Sequence, residues 1–142
     1  MKKVVLALLF GLMISGCSTE NPSVKNESLI TESDKVLESA FLNKASDLQV
    51  QGAGKVIALL PDDLEGSAHQ KFILELSTEQ TLLISHNIDL AAKIDTLQLN
   101  DIIEFYGEYE WNSKGGVVHW THNDPEGVHE NGWLKHNGVI YQ

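Results

Sequence analysis

The sequence predicts a mainly β protein with one or two short helices. From residue 49 onward, short runs of alternating apolar and polar residues are separated by turn-forming clusters. One helix-like stretch falls between the third and fourth of these runs, and Asn137-Gly138, a strong two-residue hairpin signal, divides the last two. Five strands with a helix between the third and fourth is the arrangement of a small OB-fold-like five-stranded barrel, here expected to carry a C-terminal hairpin in addition.

Taken in order, residues 1–16 read as a lipoprotein signal peptide. Lys2 and Lys3 form its positive start, and Val4 to Met13 form an apolar run of ten residues. A membrane span needs about 20 such residues. Ile14-Ser15-Gly16 then puts small residues before Cys17, the single cysteine of the chain. The expected product is an N-terminal Cys17 carrying palmitate-type acyl chains, more than one of which makes anchoring stable. The box resembles that of Gram-negative lipoproteins, in which Asp after the cysteine marks retention at the inner membrane; with Ser18 there, the resemblance implies an outer-membrane address facing the periplasm if the host is Gram-negative. Residues 17–28 are polar, contain Pro22 and lack an apolar period, which predicts a flexible tether.

Residues 29–48 are expected to hold an amphipathic helix, with Leu29, Ile30, Ser33, Val36, Leu37, Ala40 and Phe41 on one face. Glu32, Asp34 and Glu38 would repel anionic lipid, so the helix is expected to pack on its own domain. The β domain follows over residues 49–142. Gln49 to Leu60 reads as a strand bent or bulged at Gly52 and Gly54, and Pro61 to Gly66 as a turn. Gln70 to Leu76 and Thr81 to His86 pair around a Thr78-Glu79-Gln80 tip, a register that sets Phe72, Leu74 and Leu76 against His86, Ile84 and Leu82. Asn87 or Asp89 then caps a short helix presenting Leu90, Ile94 and Leu97. In the next pair Ile103, Phe105, Gly107, Tyr109 and Trp111 alternate along one strand, and Val118, Trp120 and His122 along the return. Gly107 thereby lies opposite Trp120, with room for the indole, and Glu108 faces His119 on the outer side. Trp133 to His136 and Val139 to Gln142 form the last hairpin.

Charge bounds the partners. Without Lys2 and Lys3, 8 lysines face 20 carboxylates for a net −12, and the chain has no arginine. Such a surface repels phosphate backbones, so no nucleic-acid partner is expected and cations are the natural small ones. With its one cysteine committed to the anchor, the domain folds without a disulfide.

Chemistry-bearing residues concentrate between His119 and His129, which hold three imidazoles and two carboxylates. His119, His122, Asp124 and His129 are the candidate ligands of a divalent metal such as zinc, with His122, Asp124 and His129 the tighter group. Gln70, His86, Asn87, Asp89 and Trp120 are the candidate ligand-binding residues. No catalytic residue is assigned: Ser67, Ser77 and Ser85 lack a nucleophile-elbow context, and no Gly-rich phosphate loop occurs. Asp62, Asp63 and Glu65 lack calcium-loop spacing and read as a solvated turn.

His69-Gln70-Lys71-Phe72, His86 to Ala91, Gly107 to Asn112 and above all Gly115 to His122 resemble a small bacterial family known as domain of unknown function 3465. The resemblance continues through Asp124-Pro125, Gly127, His129, Gly132-Trp133 and Tyr141-Gln142, and covers roughly Val50 to the end. It implies an exported or membrane-anchored single domain and brings no activity with it. Glu79 and Asn100 depart from the family, whose turns are expected to carry glycine there. The expected function is that of an envelope lipoprotein held to the membrane by its lipid, acting as a non-enzymatic module that binds a protein, a glycan or a small molecule. The alternative is a metal-dependent hydrolase, with phosphodiesters as one substrate class, in which His122, Asp124 and His129 hold an ion that activates water and Glu126 or Asp89 serves as base.

Overall fold

The structure, a computed structural model, describes residues 22–142, with side chains from residue 32 onward. The signal peptide, Cys17 and the first part of the tether lie outside the described residues, as do the side chains of Leu29 and Ile30. Among the described residues a single helix, α1, spans Pro22–Leu42. It therefore starts inside the stretch expected to be a tether and stops short of residue 48. Pro22 sits at its first position, where the missing N–H costs nothing. Its end is a Schellman motif: Ala45 N donates to Ala40 O (2.9 Å), Lys44 N to Phe41 O (3.2 Å), and Lys44 turns left-handed at φ 53°.

Seven strands follow: β1 (Leu48–Leu59), β2 (His69–Glu75), β3 (Thr81–Asn87), β4 (Ile102–Glu110), β5 (Val117–His119), β6 (Trp133–His136) and β7 (Val139–Tyr141). The sheet order is β1-β2-β3-β5-β4-β6-β7, and β1 also pairs with β4. That extra pairing closes the first five strands into a barrel, with β3 and β5 parallel. This is the OB-like five-stranded barrel expected from the sequence, without the helix expected between its third and fourth strands. The β6–β7 hairpin extends β4 outside the barrel, turning through Asn137 (φ 49°) and Gly138 (φ 80°).

One strand serves both ends of the closure. The first part of β1 pairs with β4 from Leu48 to Lys55, and the last part pairs with β2 from Lys55 to Leu59. The bulge in β1 lies between Val56 and Ala58, beyond the two glycines where it was expected. Gly52 is instead a point of close approach, since a Cβ there would come within 2.6 Å of the Phe105 ring.

Alternation holds through β2, β3 and β4, and it buries Phe72, Leu74, Leu82, Ile84, Ile103, Phe105 and Tyr109. The faces are as expected; the β2–β3 pairing is offset by two residues. Phe72 opposes Ile84, Leu74 opposes Leu82, and His86 opposes Gln70. The reason is the turn: Leu76 N bonds to Gln80 O (2.9 Å), so the tip is Ser77-Thr78-Glu79. Glu79 takes the left-handed position at φ 65° that suits such a three-residue loop, and Asn100 is left-handed too at φ 73°. Both residues, at positions where the resemblance leads to an expectation of glycine, thus keep the turn backbone that glycine favours.

The short helix expected after β3 does not form; residues 88–101 run as successive turns. Side chains take the backbone groups that a helix would use. Asn87 Oδ1 accepts Asp89 N (2.9 Å), while Gln70 donates to Ile94 O (3.0 Å) and accepts Ile94 N (2.9 Å). Ile94 and Leu97 are buried as expected, but Leu90 is exposed.

The helix covers the barrel from the side of β1 and the β2–β3 tip. Leu37 and Ala40 are buried, whereas Val36, expected on the same face, is exposed. Trp111 Nε1 donates to Phe41 O (3.1 Å), and fully buried Asp34 accepts from both Ser77 N (2.8 Å) and Ser77 Oγ. No described helix is long and apolar enough to cross a membrane.

Candidate functional site

The outer face of β4 and β5, with the loop after β5, gathers the groups of greatest chemical interest. Antiparallel pairing sets Glu108 opposite His119 and Tyr109 opposite Val118, the register expected from the sequence. Even-numbered residues of β4 point away from the core, so Glu108 and Glu110 lie on the same outer face as His119. His119 Nε2 is 3.4 Å from Glu108 Oε1 and 3.9 Å from Glu110 Oε1. It is closed off from solvent and makes no hydrogen bond.

The strand ends at His119 because Trp120 adopts φ 52°. The expected alternation of Trp120 and His122 is broken there, and Thr121 and His122 are both buried. Gly107 therefore does not accommodate the indole: its face is filled by Thr121 Cγ2, Val118 Cγ1 and the His119 carbonyl. Trp120 swings outward and stacks on His129, with ring centroids 4.0 Å apart and planes at 7°, while His122 lies 5.3 Å from the same indole.

Asp124 organises the loop. Its Oδ1 accepts Glu126 N (3.0 Å), and its Oδ2 accepts Val128 N and His129 N (2.7 Å each). The His129 and Glu126 amides chiefly hold its carboxyl below the usual carboxylate range. His129 donates from Nδ1 to Glu130 O (2.7 Å) and from Nε2 to Glu108 Oε2 (2.5 Å). Burial opposes its charge, but the bonds to Glu108 and the Glu130 carbonyl, with the charges of Glu108 and Asp124, hold its pKa above the ordinary imidazole value. His122 Nδ1 donates to Asn123 O (2.8 Å). In this arrangement Asp124 has both oxygens engaged and His129 both nitrogens, so His122, Asp124 and His129 do not present a free donor set.

The candidate ligand-binding residues divide in a similar way. Gln70 is committed to Ile94, and Asp89 Oδ2 accepts Ala68 N (2.8 Å). His86 is fully buried: its Nε2 donates to Ala92 O (3.2 Å), so Nδ1 of the neutral ring accepts from Thr121 Oγ1 (2.8 Å). Burial, reinforced by His122 and His69, pushes its pKa down to about 4, against the raising effect of the Ala92 and Thr121 backbone groups. Asn87 and Trp120 do face open space. They line a cleft of about 190 Å³ together with His69, Ser85, Leu90, His119 and His122.

A wider depression of about 370 Å³ lies elsewhere, between β1 and the β2–β3 tip; its lining carries the Lys55–Glu75 ion pair (3.2 Å) and no imidazole. The smaller cleft has the denser chemistry. Glu108, Glu110, His69 and Ser85 were absent from the candidate residues read from sequence. The available signal for the first two was the i, i+2 placement of carboxylates on the outer face of β4, with His119 across from Glu108.

A family model described as "Protein of unknown function (DUF3465)" matches residues 22–142, so its span includes α1 as well as the barrel. No curated protein matches the chain.

Proposed function

The chain belongs to that family of unknown function, and we propose that it is a lipid-anchored protein of the bacterial envelope acting as a non-enzymatic binding module. Its binding surface is the outer face of β4 and β5, the 120–132 loop and the adjoining cleft. One observation carries this reading: four of the six histidines, His69, His119, His122 and His129, gather around Trp120, apart from the apolar cluster that fills the barrel. Imidazole and indole groups clustered around a concave surface are the usual substance of a polar binding site. At about 190 Å³ the cleft falls below the ~300–1,000 Å³ of drug-sized sites, so the ligand is small or inserts only one group. Anchoring rests on Cys17, the single cysteine after a short apolar run.

Both parts are open to test on the full chain. In cells, labelled palmitate is expected on the wild-type chain and absent from Cys17→Ser; equal labelling of both would contradict the anchor. In detergent micelles, amide spectra recorded during titration with Zn²⁺, a dipeptide or a disaccharide are expected to shift at His69, Ser85, Asn87, His119, Trp120 and His129. Shifts confined to α1 and the β2–β3 tip would place binding elsewhere and refute the face assigned here.

A further inference from the structure

We propose that Glu108, Glu110 and His119 form a site for one divalent first-row transition ion, with Zn²⁺ the best chemical match. The inference rests on the binding face described above and names an occupant for it. Among the described residues, these three are the group of metal-ligand side chains whose donor atoms all lie within 4.8 Å of one another.

Four features point to an ion rather than to a solvated charge cluster. The first is distance. Tetrahedral ligands bonded at ~2.0–2.1 Å stand about 3.4 Å apart, and His119 Nε2 to Glu108 Oε1 measures 3.4 Å. The 3.9 Å to Glu110 Oε1 needs only a closure of about half an ångström, within the reach of a rotation of the Glu110 carboxylate. The second is His119 itself, whose Nε2 is enclosed yet bonded to nothing, an arrangement that wastes a good donor atom unless a ligand takes it.

The third is charge. Two carboxylates on neighbouring outward positions of one strand repel, and a divalent ion between them cancels that repulsion. Imidazole with carboxylates, and no thiolate, is a donor set suited to zinc and its neighbours. The fourth is support. His129, donating from both nitrogens, has no lone pair to offer an ion; it instead holds Oε2 of Glu108 and so leaves Oε1 directed toward His119. His129 is in turn held by the Trp120 indole and by the Asp124 carboxylate at its backbone. Three protein donors leave a tetrahedral ion one further position, and His119 is shared between this group and the lining of the cleft.

The test is equilibrium dialysis of the full chain in micelles, prepared without a histidine tag, against Zn²⁺ and Mn²⁺, with bound metal measured by elemental analysis. One equivalent of Zn²⁺ is expected, with a raised melting temperature. Glu108→Gln and Glu110→Gln, which keep the shape of each side chain, are expected to weaken binding at least tenfold, and His119→Ala to abolish the stoichiometric fraction. Glu65→Gln, in the exposed acidic turn before β2, is expected to leave binding unchanged. Melting curves in the absence of metal show whether each variant is folded. Less than one equivalent bound by the native chain overturns the proposal. So does full binding by Glu110→Gln and His119→Ala, or loss of binding caused by His122→Ala but by neither of them. If no metal binds while the dipeptide or disaccharide still shifts the cleft residues, the metal site falls and the binding face stands.

Discussion

Replacing Gly116 by alanine is expected to remove about 4 kcal/mol of folding stability, a large part of the ~5–15 kcal/mol that holds a domain of this size. Two costs add. Gly116 has φ +107°, a backbone region that residues with a Cβ avoid, at roughly 1–3 kcal/mol. A Cβ there would also lie 2.1 Å from Tyr109 Cε2. Tyr109 cannot yield, because its ring is fully buried and its hydroxyl donates to Gly115 O (3.1 Å). Overpacking of that kind costs a further ~1–3 kcal/mol. Gly138→Ala is the control. Its φ is +80°, but nothing lies within 4 Å of the added atom, so only the backbone term of about 1 kcal/mol remains. Urea unfolding of the two variants is expected to separate them by about 3 kcal/mol, the difference between the two losses. Equal losses would mean that the β4–β5 turn does not pack on Tyr109 as described.

Acid is expected to destabilise the fold through His86. In the unfolded chain this imidazole binds a proton below about 6.5; in the folded barrel burial lowers its pKa to about 4. Between those values the unfolded state holds the extra proton, so unfolding free energy falls as pH falls. The stability contributed by neutral His86 is complete above pH 6.5, declines as pH drops toward 4 and changes no further below that. At 1.36 kcal/mol per unit the full loss is about 3 kcal/mol. About 2 kcal/mol of it falls between pH 6.5 and 5, where most carboxylates still hold their charge. His86→Leu lowers stability at pH 7 by stranding the Thr121 hydroxyl and the Ala92 carbonyl. The comparison therefore rests on slopes: wild type is expected to lose about 2 kcal/mol more than the variant between pH 6.5 and 5. Parallel curves would show that His86 already titrates normally in the folded state.

Much of the barrel could be read directly because alternation and turn chemistry agree. Alternation on either side of the β4–β5 turn pairs the outward Glu108 with His119, and Asn137-Gly138 marks the final hairpin. The β2–β3 offset was missed because Glu79 turns left-handed in a loop one residue out of step with the expected tip. The short helix expected after β3 does not form because the competitor for its backbone, the Gln70 amide, lies on another strand. Long-range side-chain bonds of that kind leave no local pattern.

The site followed the same division. Residue type and clustering drew attention to the stretch from His119 to His129, which does border the cleft. Type alone cannot reveal that Asp124 spends both oxygens on three amides of its own loop, or that His129 spends both nitrogens as donors. Glu108 and Glu110 escaped selection because carboxylates on an outward strand face are ordinary in a chain this acidic. Only the register sets them beneath a histidine.

That register is the central claim, and a cross-strand disulfide tests it most directly. In a Cys17→Ser background, Glu108→Cys with His119→Cys places two thiols at directly opposed antiparallel positions, whose Cα atoms stand ~4.5–5.5 Å apart, within disulfide range. Mild oxidation is expected to close this pair quantitatively, while Glu110→Cys and Tyr106→Cys, each combined with His119→Cys, stay largely reduced at their diagonal separation of ~7–8 Å. Preferential closure of either diagonal pair would shift the strands by two residues, separate Glu108 from His119 and contradict the site built on them.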